Sequence, residues 1–362
     1  MGTGRARRAK TKLRLGDGRM RRILEAPPKP PPRRWRRLHH CIVPSGLLMV
    51  LVGWALLGCQ CEEEQKKPPT PHIVKPAPTP PPAEGEPLME DLTRRRRGQG
   101  VRYVPPTPDE DRAFAKWVRR VTQAALRERL PEASAPIGFA GMLLDQGRLW
   151  VVGEEPDHKR GAGALVLRPS AQRPVVIEAP HTFFDRKTLD ISSHVFQVLG
   201  ARALLINTLH RGTGVDADMR IEAVREGTSP TDVAHAEKSF FDTAHRALIE
   251  AEPALVVLQI HGFSDKRVPG VDAVVSAANT RGPARPVAEA LRALLGAERV
   301  RVYPDDIKML GGTTNTQAAA CREAKAAFVH LELSASLRNR VTEDKVLAER
   351  FARALGEGLR RP

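Results

Sequence analysis

Four cysteines in 362 residues do not describe a disulfide framework, and their placement makes one less credible still. Cys41 opens an uncharged run and Cys59 closes it, while Cys61 and Cys321 stand far apart in the chain. Their spacing pairs nothing. No Gly-x-Ser-x-Gly pentapeptide occurs, so the nucleophile elbow that a serine hydrolase of the α/β type requires is missing. There is no internal repeat either. Basic charge, abundant overall, is absent from where a nucleic-acid-binding domain would need it. Of the formal +16, residues 1–40 supply 14 Lys/Arg against two acids, Asp17 and Glu25, which is +12. Residues 41–58 carry no Asp, Glu, Lys or Arg, so everything from Cys59 onward is only +4. Nucleic acid is therefore not an expected partner.

What the N-terminus does contain is a basic segment, an apolar run and a small residue, in the order of a secretory signal. The run Cys41–Gly58 ends in Leu56-Leu57-Gly58-Cys59, which resembles a bacterial lipobox. That resemblance implies lipidation of Cys59 and anchorage in the cell envelope, on the periplasmic side or in the outer membrane. Gln60, by the same resemblance, does not favour retention in an inner membrane. An uncleaved anchor is the other reading, since about 18 apolar residues only just span a bilayer. Met20 offers an alternative translation start. From Cys59, an acidic triplet, two lysines and a Pro-rich stretch through Pro87 cannot bury a core and read as an extended tether. The run Arg94–Arg97 reads as a solvated or membrane-facing patch. Three parts are expected: a leader over 1–58, a linker over 59–106 and a folded domain over 107–362.

The folded part reads as α/β. Phe114, Trp117, Val118, Val121 and Ala125 are spaced for one buried face of a helix over 108–129, and residues 137–155 read as a hairpin turning at Asp145-Gln-Gly147. Strands then alternate with helices: strand 174–179, helix 188–199, strand 203–207, helix 231–251, strand 254–260, helix 284–295, strand 299–303, strand 327–333 and a last helix over 342–358. That alternation predicts a mostly parallel sheet flanked by helices.

Three of these apolar strands end in residues able to do chemistry: Pro174–His181, Ala254–His261 and Ala327–Glu332. In open α/β sheets, ligands gather outside the carboxyl ends of the strands. His181 and His261 are candidate metal ligands. Asp185, one helical turn beyond His181, is the candidate third, with Asp190 and Glu178 as competitors and helix capping as its other reading. Three protein ligands leave the fourth position of a catalytic zinc open. Glu332 is the candidate base for the water, unless it pairs with Arg338 or Arg340. Gly262 would let backbone come close to the site.

Substrate recognition is expected from the end of the next strand, where Asn207 offers a donor and Arg211 a planar fork suited to a carboxylate. The loop Gly311–Asn315, with Thr313 and Asn315, can line the same pocket.

The order His-x-x-x-Asp, Asn-x-x-x-Arg, a strand-end His-Gly and Glu332-Leu-Ser-x-Ser-Leu-Arg338 resembles the zinc carboxypeptidase-like superfamily. Its nearest-looking branches are the N-formylglutamate amidohydrolases and the poly-γ-glutamate hydrolases. The resemblance covers about residues 172–340 and implies a phosphorylase/hydrolase-like fold. It implies one zinc ion on His181, Asp185 and His261, Glu332 acting on the water, and Asn207 with Arg211 on a substrate carboxylate. One departure is visible: carboxypeptidases proper use His-x-x-Glu, whereas this chain has His-Thr-Phe-Phe-Asp. The expected activity is hydrolysis of an amide or peptide bond in a small, carboxylate-bearing, envelope-derived substrate. The competing class is a non-catalytic envelope lipoprotein that only binds, in which the proposed ligands would be dispersed.

Overall fold

A computed structural model describes residues 88–96, 103–129, 135–136, 138–211 and 229–360, all within the unit that spans 75–362. The basic leader, the apolar run, Cys59, the Pro-rich stretch to Pro87 and the segment 212–228, with Asp216 and Asp218, lie outside the described residues.

The first described element is a helix, α1 (Leu88–Arg96), where composition reads a linker. Leu88 and Leu92, four residues apart on one face, are buried in the main apolar cluster. The core therefore recruits chain from before residue 107. Helix α2 (Pro108–Leu126) starts at a capping box. Thr107 accepts from the Glu110 N–H, the Glu110 carboxylate accepts from the Thr107 N–H, and Pro108 fills the first turn. Strands β1 (Phe139–Leu144) and β2 (Leu149–Glu154) form the expected hairpin. There follow β3 (Ala164–Leu167), β4 (Arg173–Ala179), α3 (Thr188–Leu199), β5 (Ala201–Ile206) and α4 (Phe240–Ala251). After them come β6 (Val256–Phe263), β7 (Ala273–Ser276), α5 (Ala284–Leu295), β8 (Val300–Tyr303), α6 (Thr316–Ala324), β9 (Ala327–Ser334), α7 (Ala335–Glu343) and α8 (Lys345–Gly358).

The nine strands form one sheet in the order β1-β2-β3-β5-β4-β6-β9-β7-β8. Its centre, β5-β4-β6-β9, is parallel as expected. The sheet as a whole is mixed, because the β1–β2–β3 meander joins β5 antiparallel and β7 enters antiparallel to β9. Strands β3 and β7 are only four residues long, too short to show as a period in sequence.

Two expected helices differ in extent. The one read over 231–251 begins at Phe240, where Lys238 takes a positive φ and Ser239 caps the Asp242 N–H at 3.1 Å. Residues 231–238 are turns instead, which frees Asp232 to reach the strand ends. The last helix, read over 342–358, begins at Lys345, where Asp344 caps it, and α7 precedes it as a further helix.

Alternation along the central strands decides what each face of the sheet holds. Val175, Ile177 and Ala179 of β4, Val256, Leu258 and Ile260 of β6, and Val329, Leu331 and Leu333 of β9 face one apolar cluster under α1, α3, α5, α7 and α8. On the opposite face, Val176, Val257 and Phe328 pack with α2, α4 and α6. Further along, that face turns polar. Glu178, Gln259 and His330 stand in register across three strands, and His261 stands beside Glu332 one row on. The apolar rows build the core, and the polar rows at the carboxyl ends build the site.

Candidate metal centre

His181 lies just past β4 in a turn whose first hydrogen bond runs from the Asp185 N–H to the His181 carbonyl at 2.8 Å. This i, i+4 link sets the two side chains side by side. Thr188 Oγ1 donates to the Asp185 carbonyl at 2.7 Å and Thr182 Oγ1 to the Asn207 carbonyl at 2.8 Å, which lace the turn to its surroundings. His261 arrives from β6. Its Nδ1 is 3.2 Å from His181 Nδ1 and 3.6 Å from Asp185 Oδ2, and His181 Nδ1 is 3.3 Å from the same oxygen. All three side chains are buried.

That triangle can be compared with a zinc site. Bonds of about 2.0–2.1 Å in a tetrahedron put neighbouring ligand atoms about 3.3–3.4 Å apart. The three observed separations fall on either side of this value. Two imidazole nitrogens and a carboxylate oxygen are also a donor set that zinc takes. The residues fit such an ion.

The far nitrogens of both histidines are held as metal-bound imidazoles usually are. His181 Nε2 meets Asp232 Oδ1 at 2.8 Å, and His261 Nε2 meets Gln259 Oε1 at 2.7 Å. Asp185 Oδ2 also accepts from the Gly262 N–H at 3.0 Å. Gly262 is required here by packing. A Cβ at this position would come within 1.9 Å of Arg338 Nη1, so a side chain would evict the arginine. Arg338 itself donates to the carbonyls of Arg186, Phe263 and Leu333.

Burial and charge set the protonation pattern. Burial works against charge on His181, but the carboxylates of Asp185 and Asp232 overcome it and raise its pKa. Asp185 is opposed by burial too, yet hydrogen bonds from His181 and His261 hold it well below the usual carboxylate range. Burial, with the charge of His181 adding to it, lowers His261. Glu332 is pushed up to about 8, first by burial and then by the negative charge of Asp185.

Glu332 stands directly across from His261 in the parallel β6–β9 pair. It makes no pair with Arg338 or Arg340; Arg340 binds Asp272 instead, at 2.5 Å. Its buried Oε2 has no hydrogen-bond partner among the described residues. The ligating atoms of His261, His330 and Glu332 also lie within 4.8 Å of one another, so the carboxyl borders His261. Asp190 is exposed and Glu178 pairs with His245, which leaves Asp185 as the carboxylate beside both histidines.

The expected substrate-binding residues divide. Asn207 is engaged with backbone: its Nδ2 donates to the Pro180 and Leu209 carbonyls and its Oδ1 accepts from the Leu209 N–H. A buried amide spent on backbone anchors the loop after β5 and has little left for a ligand. Asn315 is engaged likewise: its Oδ1 caps α6 through the Gln317 and Ala318 N–H groups and its Nδ2 donates to Gln259 Oε1. Thr313 lies half-buried on the loop before α6. Arg211 does reach the site. Its Nη2 is 2.9 Å from Asp232 Oδ2, and its guanidinium lies 4.7 Å from the ring centroid of Phe184, an exposed aromatic in the ligand-bearing turn.

Three residues escaped the sequence reading. Gln259 and His330 each precede a singled-out residue by two, on the same strand face, so period-2 logic had the signal. Asp232 had none; it stands 51 residues from His181 and only the tertiary fold brings it in.

No family model and no curated protein matches this chain. Solved structures do. A gene product of Agrobacterium tumefaciens is 16% identical over 52% of this chain and 92% of its own, with a TM-score of 0.39. The N-formylglutamate amidohydrolase from Ralstonia eutropha JMP134 is 15% identical over 56% of this chain and 99% of its own, with a TM-score of 0.37. A metallo-carboxypeptidase from Burkholderia cenocepacia is 14% identical over 70% and 69%, with a TM-score of 0.33. Identities and scores this low leave the chemistry to be argued from the chain's own geometry.

Proposed function

We propose that this protein is a metal-dependent hydrolase of an amide or peptide bond, with one zinc ion held by His181, Asp185 and His261. The observation that carries the reading is the buried triangle of ligand atoms at 3.2, 3.3 and 3.6 Å, with Glu332 across the strand pair from His261. When bound, the ion supplies Lewis acidity toward a carbonyl oxygen and acidifies water beside it. The chain's own residues do the rest. Glu332 Oε2, without a hydrogen-bond partner among the described residues, takes a proton from water and returns it to the leaving nitrogen. Asp232 holds the His181 ring through Nε2, and Gln259 holds the His261 ring in the same way.

Arg211, fixed between Asp232 and Phe184, is the group offered to a substrate carboxylate, and the exposed Phe184 ring offers an apolar wall beside it. A small amide or short peptide bearing a free carboxylate fits this pairing. The lipobox-like tetrad supports a place in the cell envelope, tethered through Cys59, where envelope-derived peptides are the substrates at hand. The testing experiment is elemental mass spectrometry on the full chain, with His261→Ala as control. About one zinc per chain is expected, lost in the control. A wild type that takes up no metal after reconstitution with zinc overturns the reading and leaves an envelope binding domain.

A further inference from the structure

Behind His261, one row deeper on the same sheet face, a buried polar chain runs from Gln259 to residues that the proposed hydrolysis does not use. Gln259 Oε1 meets His261 Nε2 at 2.7 Å, and Gln259 Nε2 donates to Glu178 Oε2 at 2.8 Å. Glu178 Oε1 meets His245 Nδ1 at 2.7 Å, and His245 Nε2 lies 3.6 Å from Cys321 Sγ. Glu178, Gln259, His245 and Cys321 are all inaccessible to solvent or nearly so. Four polar groups so placed in a core are costly unless each is satisfied, and here they satisfy one another.

The direction of each bond follows from Glu178, which can only accept, and agrees with Asn315, whose Oδ1 already caps α6 and whose NH2 therefore faces the Gln259 oxygen. A carboxylate at Glu178 needs donors on both oxygens. His245 is one of them. Burial disfavours its charge, but Glu178 overcomes this and holds its pKa well above the ordinary imidazole value. Gln259 must be the other, so its NH2 faces Glu178 and its carbonyl oxygen faces the opposite way. There it receives the Asn315 amide and His261 Nε2. An oxygen in that position requires a hydrogen on Nε2 of His261. The neutral ring then keeps its lone pair on Nδ1, the atom directed at His181 and Asp185. An amide turned the other way would put an NH2 against Nε2, move the ring hydrogen to Nδ1 and remove that lone pair.

We infer that Glu178 is a positioning residue that sets, through the orientation of the Gln259 amide, which nitrogen of His261 is open to a metal. Its importance to zinc rests on the metallohydrolase reading, whereas the tautomer it imposes does not.

The test uses full-length protein labelled with 15N in histidine, free of metal, with ring tautomers read by nitrogen–proton correlation NMR and His261 assigned by its loss in His261→Gln. The wild type is expected to carry Nε2–H. Glu178→Gln, which adds a donor where only an acceptor stood, is expected to let Gln259 turn and to populate Nδ1–H. It should also weaken zinc, measured by chelator competition, by about 10- to 100-fold. Glu178→Asp retains an accept-only group and should restore Nε2–H. Should Glu178→Gln not fold with His245 left unpaired, the double variant Glu178→Gln/His245→Gln removes both charges and is read in the same way. A wild type carrying Nδ1–H overturns the inference, and so does a folded Glu178→Gln variant whose tautomer is unchanged. A wild type that carries Nε2–H and loses it in the variant, but never binds zinc, supports the inference while sinking the hydrolase.

Discussion

Glu332 illustrates how a single side chain takes its properties from its row in a sheet. Alternation puts it on the face of Phe328 and His330, pairing puts it beside His261, and burial pushes its pKa up to about 8. A dication seated at the histidine pair would work against that shift and favour the carboxylate. Replacing Glu332 with Gln preserves volume and removes the proton acceptor. The expected result is full zinc content with turnover reduced by about 10²- to 10⁴-fold, assayed on N-acyl amino acids and short peptides with free carboxylates. Unchanged turnover would remove Glu332 from the reaction. At this scale the sequence was informative wherever a polar residue interrupted or ended an apolar run, as His181, His261 and Glu332 do. It was silent on the bonds of Asn207 and Asn315, whose amides are committed to backbone atoms and to a cap. Type and spacing reveal a donor; they do not reveal that it is taken.

At the scale of elements, the longer strands and helices were legible because their patterns are long enough to repeat. The hairpin over β1 and β2 and the parallel run β5-β4-β6-β9 follow from that. Helix α1 did not, because nine residues beside a Pro-rich stretch look like linker. Its Leu92 is fully buried in the main cluster, and α1 packs against α3, which follows the turn carrying His181 and Asp185. Leu92→Ala should therefore cost about 2–5 kcal/mol, the usual range for emptying a packed leucine site. Urea unfolding measures it, and an unmoved midpoint would mean that residues 88–96 add nothing to the fold. Elsewhere small backbone features decide element ends. The positive φ of Lys238 and the Ser239 cap shorten α4, and without that break Asp232 would be part of a helix. At Gly312, also of positive φ, a Cβ would sit 2.5 Å from His330 Cδ2, so the loop can lie directly on that ring.

For the whole molecule, charge and chemistry are separated along the chain. Residues 1–40 carry +12 and precede an uncharged run, whereas the site lies between residues 178 and 332. Among the described residues no helix is long and apolar enough to cross a membrane, and the tether proposed through Cys59 lies outside them. Labelling with a fatty acid in a bacterial host tests the tether. Incorporation is expected in the wild type and lost in Cys59→Ser, which should also leave the detergent phase. Incorporation that survives the substitution would place the lipid elsewhere or point to an uncleaved anchor.

Sequence by itself determined the α/β class, the central parallel strands and the identities of the two histidines and the glutamate at their ends. Each of these depends on local pattern: apolar alternation over five to eight residues, and polar groups where that alternation stops. Tertiary structure alone decided that Asp232 supports His181, that Asn207 serves the backbone, and that Glu178, Gln259 and His245 form one chain of hydrogen bonds behind His261. The physical reason is range. Periodicity is written between neighbours, whereas the bonds His181–Asp232, His245–Glu178 and Gln259–Glu178 join residues 51, 67 and 81 positions apart, and only the folded sheet brings them within 3 Å.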